Sequence, residues 1–252
     1  MLGFIMKKHW LVSVFALWPL AASAQPTENM NILDRLYPVE SRTLWGNLRD
    51  YDYETLLIAA FGEAYREDVR VRVFAFAPQE FVVGISGQGS SYKIFSVESK
   101  VSLDAYAAEH RGQAIVDVAA LSGLGAHLSS IEELRAALPP VLSGDNLQNC
   151  EVDLDAPTAL GIVQVWGEML ERRGPNVPQT AADSVYFRFS TFQGAPYRPM
   201  EGEAFGGNPG PNISGLIDIA LTMRQMCKSG DVSLQSVLGG KVSDLLSRLE
   251  PE

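Results

Sequence analysis

The spacing of apolar residues changes period several times along the chain, and each change marks a predicted element. Between residues 54 and 66, Leu56, Leu57, Ala60, Phe61, Ala64 and Tyr65 recur at helical spacing and define one helix face. The period then falls to two. Val69, Val71 and Val73 alternate with Arg70, Arg72 and Phe74, and residues 81–85 and 92–97 are further β-type runs. Pro78-Gln79 and the segment Ser86-Gly87-Gln88-Gly89-Ser90 supply turns too short for crossover helices, so the three strands read as an antiparallel meander.

Residues 104–111 predict a short helix and 115–118 a strand. Ser130 and Glu133 have capping-box spacing and open a helix that Pro139-Pro140 ends. A strand at 149–154 leads into the clearest helix: Asp155 is its N-cap, Pro157 sits in its first turn, and Leu160, Val163, Trp166 and Leu170 form its stripe before Gly174-Pro175. Residues 183–192 alternate Val185, Phe187 and Phe189 against Tyr186, Arg188 and Ser190, a strand with one apolar face. A Gly/Pro-rich segment, 193–212, reads as a loop of about 20 residues. A helix at 213–228 follows, with Gly230 as its cap. Gly239-Gly240 is expected to break the tail before a short helix at 242–249. The pattern predicts a single α+β domain, an antiparallel sheet packed by three to five helices; a split near residues 139–145 is the alternative.

The start of the chain has a different character. Met6-Lys7-Lys8-His9 is a short positive region, residues 10–20 are apolar, and Ala22-Ser23-Ala24 has the small-x-small spacing of a signal-peptidase site. Residues 1–24 are therefore expected to be a cleavable, bacterial-type signal peptide, with residues 25–252 exported to the periplasm or beyond. The apolar run is too short for a membrane span, which takes about 20 residues. No cysteine lies near the predicted cleavage point, so no stable membrane anchor is expected after cleavage. Residues 25–38 read as a polar arm.

Export gives the only two cysteines a meaning. An oxidising compartment favours a Cys150–Cys227 disulfide, closing a loop of about 77 residues. The composition, 46% hydrophobic and 20% charged, is that of an ordinary globular chain and excludes disordered, collagenous and multi-span classes. The 252 residues carry 20 Lys and Arg against 30 Asp and Glu. Losing Lys7 and Lys8 with the leader leaves 18 against 30, a net charge of −12. Such a chain lacks the cation surplus that nucleic acid binding requires, and it attracts basic partners at long range.

Known catalytic spacings fail one after another. His110 and His127 lie in no metal-ligand pattern and read as loop or helix-end residues. Ser86 lacks the second glycine of a nucleophile elbow, since Gln88 holds that place, and reads as a hairpin-turn residue. Ser90-Ser91-Tyr92-Lys93 matches S-x-x-K by letter, but on a strand its first and last residues face opposite ways. Asp50, Asp52 and Glu54 fail the EF-hand rule because Thr55 and Phe61 stand where glycine and glutamate are needed. Asp153 and Asp155 share the alternate spacing, with Asp155 already assigned to a helix cap. The glycines of the segment Phe205-Gly206-Gly207-Asn208-Pro209-Gly210-Pro211-Asn212 precede a helix as an anion cradle does. Two prolines remove donors there, so a contact loop is expected instead.

No catalytic residue, cofactor or metal is assigned on these grounds. The expectation is an exported, non-enzymatic protein that binds another macromolecule, such as an inhibitor or immunity-type protein against a basic envelope-active toxin. An envelope hydrolase with a carboxylate-based site and an envelope assembly adaptor are the alternatives. Tyr197 and Phe205, aromatic residues of the 193–212 segment, are the expected partner contacts.

Overall fold

A computed structural model of the chain describes residues 34–38, 53–76, 80–110, 131–174, 186–192, 200–205, 207 and 209–250. An antiparallel sheet organises them. Its strands are β1 (Tyr37–Pro38), β2 (Val69–Ala75), β3 (Phe81–Gln88), β4 (Ser91–Ser99), β5 (Leu147–Leu154), β6 (Tyr186–Thr191) and β7 (Met200–Phe205). They lie in the order β1-β7-β6-β2-β3-β4-β5, with β1 a two-residue stub on one edge. The meander expected from the spacing is β2-β3-β4. β5 extends it on one side, and β6 with β7 on the other. The sheet thus takes strands from both sides of residues 139–145.

The helices are α1 (Tyr53–Ala60), α2 (Leu103–Glu109), α3 (Ile131–Ala137), α4 (Ala156–Glu171), α5 (Pro211–Ser229) and α6 (Leu234–Leu249). They form two layers. Val71, Val73, Val83, Ile85 and Ile94 meet Ile162 and Trp166 of α4, Leu216 and Met223 of α5, and Leu245 of α6. The alternate strand residues Phe74, Val82, Phe95 and Val97 meet Leu56 of α1, Phe61, Leu103 of α2 and Leu142. Because both sheet faces are covered, the central strands β2 and β3 are almost continuously buried. The same reason corrects the one-faced reading of 183–192. Phe187 and Phe189 enter the first core, while Tyr186 and Phe192 pack into the second.

Local signals explain where the elements stop. Asp155 caps α4 by accepting from the Thr158 amide at 2.9 Å, and Pro157 fills its first turn. Gly230, at φ 66°, ends α5 in the left-handed conformation. The 54–66 helix is instead α1 followed by a 3-10 turn, Gly62–Tyr65. On α4, Leu160 of the predicted stripe points to solvent at 53% exposure, and the buried face is Ala159, Ile162, Val165, Trp166, Met169 and Leu170. Gly239-Gly240 does not break the tail, since α6 runs through it. Burial of Leu238, Val242, Leu245 and Leu249 offsets a glycine cost of about 1 kcal/mol each.

Two further corrections concern the ends of the chain's first and last predicted coils. The 193–212 segment contains β7, so it is not one continuous loop. Within the polar arm, Leu36 and Tyr37 are buried, and β1 pairs with β7. The predicted leader, the 115–118 strand, Ser130 and Asp183 to Val185 lie outside the described residues.

The Cys150–Cys227 disulfide joins β5 to α5 with its Cα atoms 5.7 Å apart. Glu98 of β4 reinforces the same junction. It takes Arg224 at 2.7 Å and Lys228 at 2.8 Å, and Arg224 also lies over the Phe81 ring at 4.2 Å. Burial alone would raise the Glu98 carboxyl, but hydrogen bonds from Arg224 and Lys228 outweigh it and hold it below the usual carboxylate range. A lowered folded pKa contributes stability above the unfolded value, about 4.3, and that stability is lost as pH falls through the folded pKa. Denaturant melts across the acid range are therefore expected to show a steeper stability loss in the wild type than in Glu98→Gln. Equal slopes would contradict the role assigned to Glu98.

Candidate functional site

Several residues singled out by the sequence have structural places. Ser86 is not in a turn: it is a buried residue of β3, paired with Lys93, and its Oγ accepts from Arg66 at 3.0 Å. The hairpin turns at Gly89-Ser90, beyond the Gln88–Ser91 pair. Lys93 sits on β4 and pairs with Glu151 at 3.3 Å. His110 ends α2, its ring stacked on Tyr106 at 4.0 Å. Asp153 is an exposed residue of β5. Asp50, Asp52, His127 and Tyr197 lie outside the described residues. The backbone of Phe205 pairs with Tyr186 at the end of β7, and its side chain lies outside the described ones.

The start of α5, weighed above as an anion cradle, is already filled. Asp34 accepts from the Asn212 amide at 2.5 Å and from the Ile213 amide at 3.3 Å. A long-range carboxylate thus replaces the local cap that Gly210 cannot provide.

The sequence reading missed an ionic network on the α1 side of β2, β6 and β7. Register places Arg72 beside Ser190, and Ser190 beside Glu201; Arg188 lies beside Glu203. Arg72 is buried at 2% exposure. One terminal nitrogen donates to the Ala64 carbonyl at 2.8 Å and the other lies 3.6 Å from Glu201. Its guanidinium is enclosed by the rings of Tyr65, Phe192 and Phe74 at 4.3, 4.8 and 5.2 Å. Its Nε has no hydrogen-bond partner among the described residues. Burial pushes the Arg72 guanidinium below its ordinary value despite Tyr65 and Glu201. Arg188 is shifted the other way: burial opposes its charge, but Tyr186, Glu203 and Glu201 outweigh burial. Alternating Glu201 and Glu203 was the available signal, obscured by the surrounding glycines and prolines.

A cleft of about 300 Å³ lies on the same side of the sheet, at its opposite edge. Register sets its floor: Phe95 beside Glu151, and Val97 beside Asn149. Glu63, from the 3-10 turn after α1, forms a wall. Arg135 of α3 holds one Glu63 oxygen at 2.9 Å, while the other, Oε2, is buried without a hydrogen-bond partner among the described residues. Arg66 holds Glu151 at 2.9 Å and stacks over Phe95 at 5.5 Å. A hydrogen bond from Arg66 is the main reason the Glu151 carboxyl sits below its usual range, with Lys93 adding to it against the effect of burial.

The cations share a pattern across the described residues. From Arg66 onward, each described lysine and arginine donates to a carboxylate or carbonyl oxygen of the chain itself or, for Arg172, lies 3.6 Å from one. Exposed acids such as Glu67, Asp104, Glu109, Glu132, Asp153 and Glu171 face solvent around them. Among the described residues, no group of three or more His, Cys, Asp or Glu is placed to hold a metal ion, and no helix is long and apolar enough to cross a membrane. Comparison with known proteins finds no matching family model, no matching curated protein and no matching solved structure.

Proposed function

We propose that the chain is an exported, non-enzymatic protein that acts by binding a basic macromolecule of the cell envelope, in the manner of an inhibitor or immunity-type protein. The observation that carries this reading is the distribution of charge. A chain with 30 acids against 20 cations sets most of its described cations against its own carboxylates, and the surplus of acids sets the outward field. Such a field steers oppositely charged partners and discriminates against acidic ones. The Cys150–Cys227 bond agrees with an oxidising compartment. A carboxylate-based hydrolase needs an acid whose pKa is raised. The described carboxylates with a resolved shift, Glu98, Glu151 and Asp231, are all shifted down.

The test uses the oxidised chain as immobilised bait for proteins of an envelope extract. A basic protein retained at low salt and released as salt rises is expected. Retention of acidic proteins only, or of none, would overturn the reading.

A further inference from the structure

We infer that the outer edge of β5 is the contact surface and that it takes an extended, lysine- or arginine-bearing segment of a partner protein as an added strand. This inference rests on the proposed binding function and assigns it a place.

β5 has one strand neighbour, β4, and its other edge pairs with no described strand. The outward amides follow from the ladder. The Ser99 amide donates to Glu80, on the β3 side, so Ser99 and its partner Leu147 form a pair without mutual hydrogen bonds. The Lys100 amide donates to Asn146, which fixes the same alternation one step along. The residues of β5 that bond β4 are therefore Gln148, Cys150, Val152 and Leu154. Leu147, Asn149, Glu151 and Asp153 direct their N–H and C=O groups to the open edge. An eight-residue edge of this kind is a template for strand addition.

The side chains favour one occupant. Asn149, Glu151 and Asp153 are exposed; Arg66 and Lys93 already hold Glu151, and on this face three cations, Arg66, Lys93 and Arg135, stand against four acids, Glu63, Asp68, Glu151 and Asp153, an excess of one acid. Residues directly opposite on an added strand interact with them, so Lys or Arg is favoured there and Asp or Glu disfavoured. The same alternation presents Asn149 and Glu151 to the cleft floored by Phe95 and Val97. The cleft gives an incoming stem apolar surface, and the unpartnered Glu63 oxygen gives it an acceptor. The disulfide anchors this edge strand to α5, so the edge is presented on a fixed element.

The probe is a synthetic eight-residue peptide alternating threonine and lysine, titrated into the oxidised full-length chain with amide exchange followed residue by residue. Protection is expected at Leu147, Asn149, Glu151 and Asp153. A threonine–glutamate peptide should bind about tenfold more weakly or worse. Asn149→Pro removes an outward donor without touching the β4 ladder and should weaken binding by at least about tenfold. A lysine peptide N-methylated at alternate residues should not bind. The inference is overturned by equal binding of the N-methylated peptide, by protection elsewhere only, by protection already present in the free chain, or by no binding, in which case the acids merely guard the edge against pairing. Capture of a basic envelope protein that Asn149→Pro leaves unchanged would reject this edge while the proposed function stands.

Discussion

Loss of the Cys150–Cys227 bond is expected to lower the stability of the folded chain by about 4.5 kcal/mol on the loop-entropy model. The bridged residues are 77 apart in sequence, and they join the outermost full strand, β5, to a helix packed over the middle of the sheet. For a domain of this size the melting temperature should fall by about 10 to 15 °C. Urea melts of the oxidised chain and of a Cys150→Ser, Cys227→Ser double variant measure the difference. A change under about 1 kcal/mol would show that Glu98, Arg224 and Lys228 hold this junction without the bond.

Arg72→Ala is expected to cost about 3 to 5 kcal/mol, because it removes one partner of a buried charge pair and leaves a void among Tyr65, Phe74 and Phe192. The Ala64 carbonyl also loses its donor. Arg72→Met combined with Glu201→Gln should restore most of the loss, since a buried ion pair is replaced there by an apolar stem and a neutral acceptor for Ser190. Urea denaturation of the three proteins checks this. If the double variant is as unstable as Arg72→Ala, the cost lies in the arginine's own packing and not in an orphaned charge.

The disulfide and Arg72 also show what was legible in the sequence. Compartment chemistry and parity of cysteines singled out the disulfide, and period-two runs with short turns singled out the meander. Such signals are local or nearly so. Arg72 was visible only as the polar half of an alternating strand. Its burial depends on β6 and β7 bringing Ser190 and Glu201 alongside it, a pairing over more than a hundred residues. β7 itself was hidden because Gly202 reads as a coil residue. In the fold that glycine is a packing position: a Cβ there would lie 2.9 Å from Leu36 and Leu170. The first half of α6 was hidden by Gly239-Gly240, whose local preference loses to burial against α4 and α5. The β5 edge needed the strand order, which no local pattern encodes. Tyr197 was chosen for its loop composition; it lies outside the described residues, and β7 begins at Met200.

The central claim, binding of a basic partner through an acidic outward field, is tested most directly by the association rate of the oxidised chain with a captured partner, measured across ionic strength. The account predicts a rate that falls steeply between low and physiological salt while dissociation changes little. A rate independent of salt, or one that rises with it, would contradict the account.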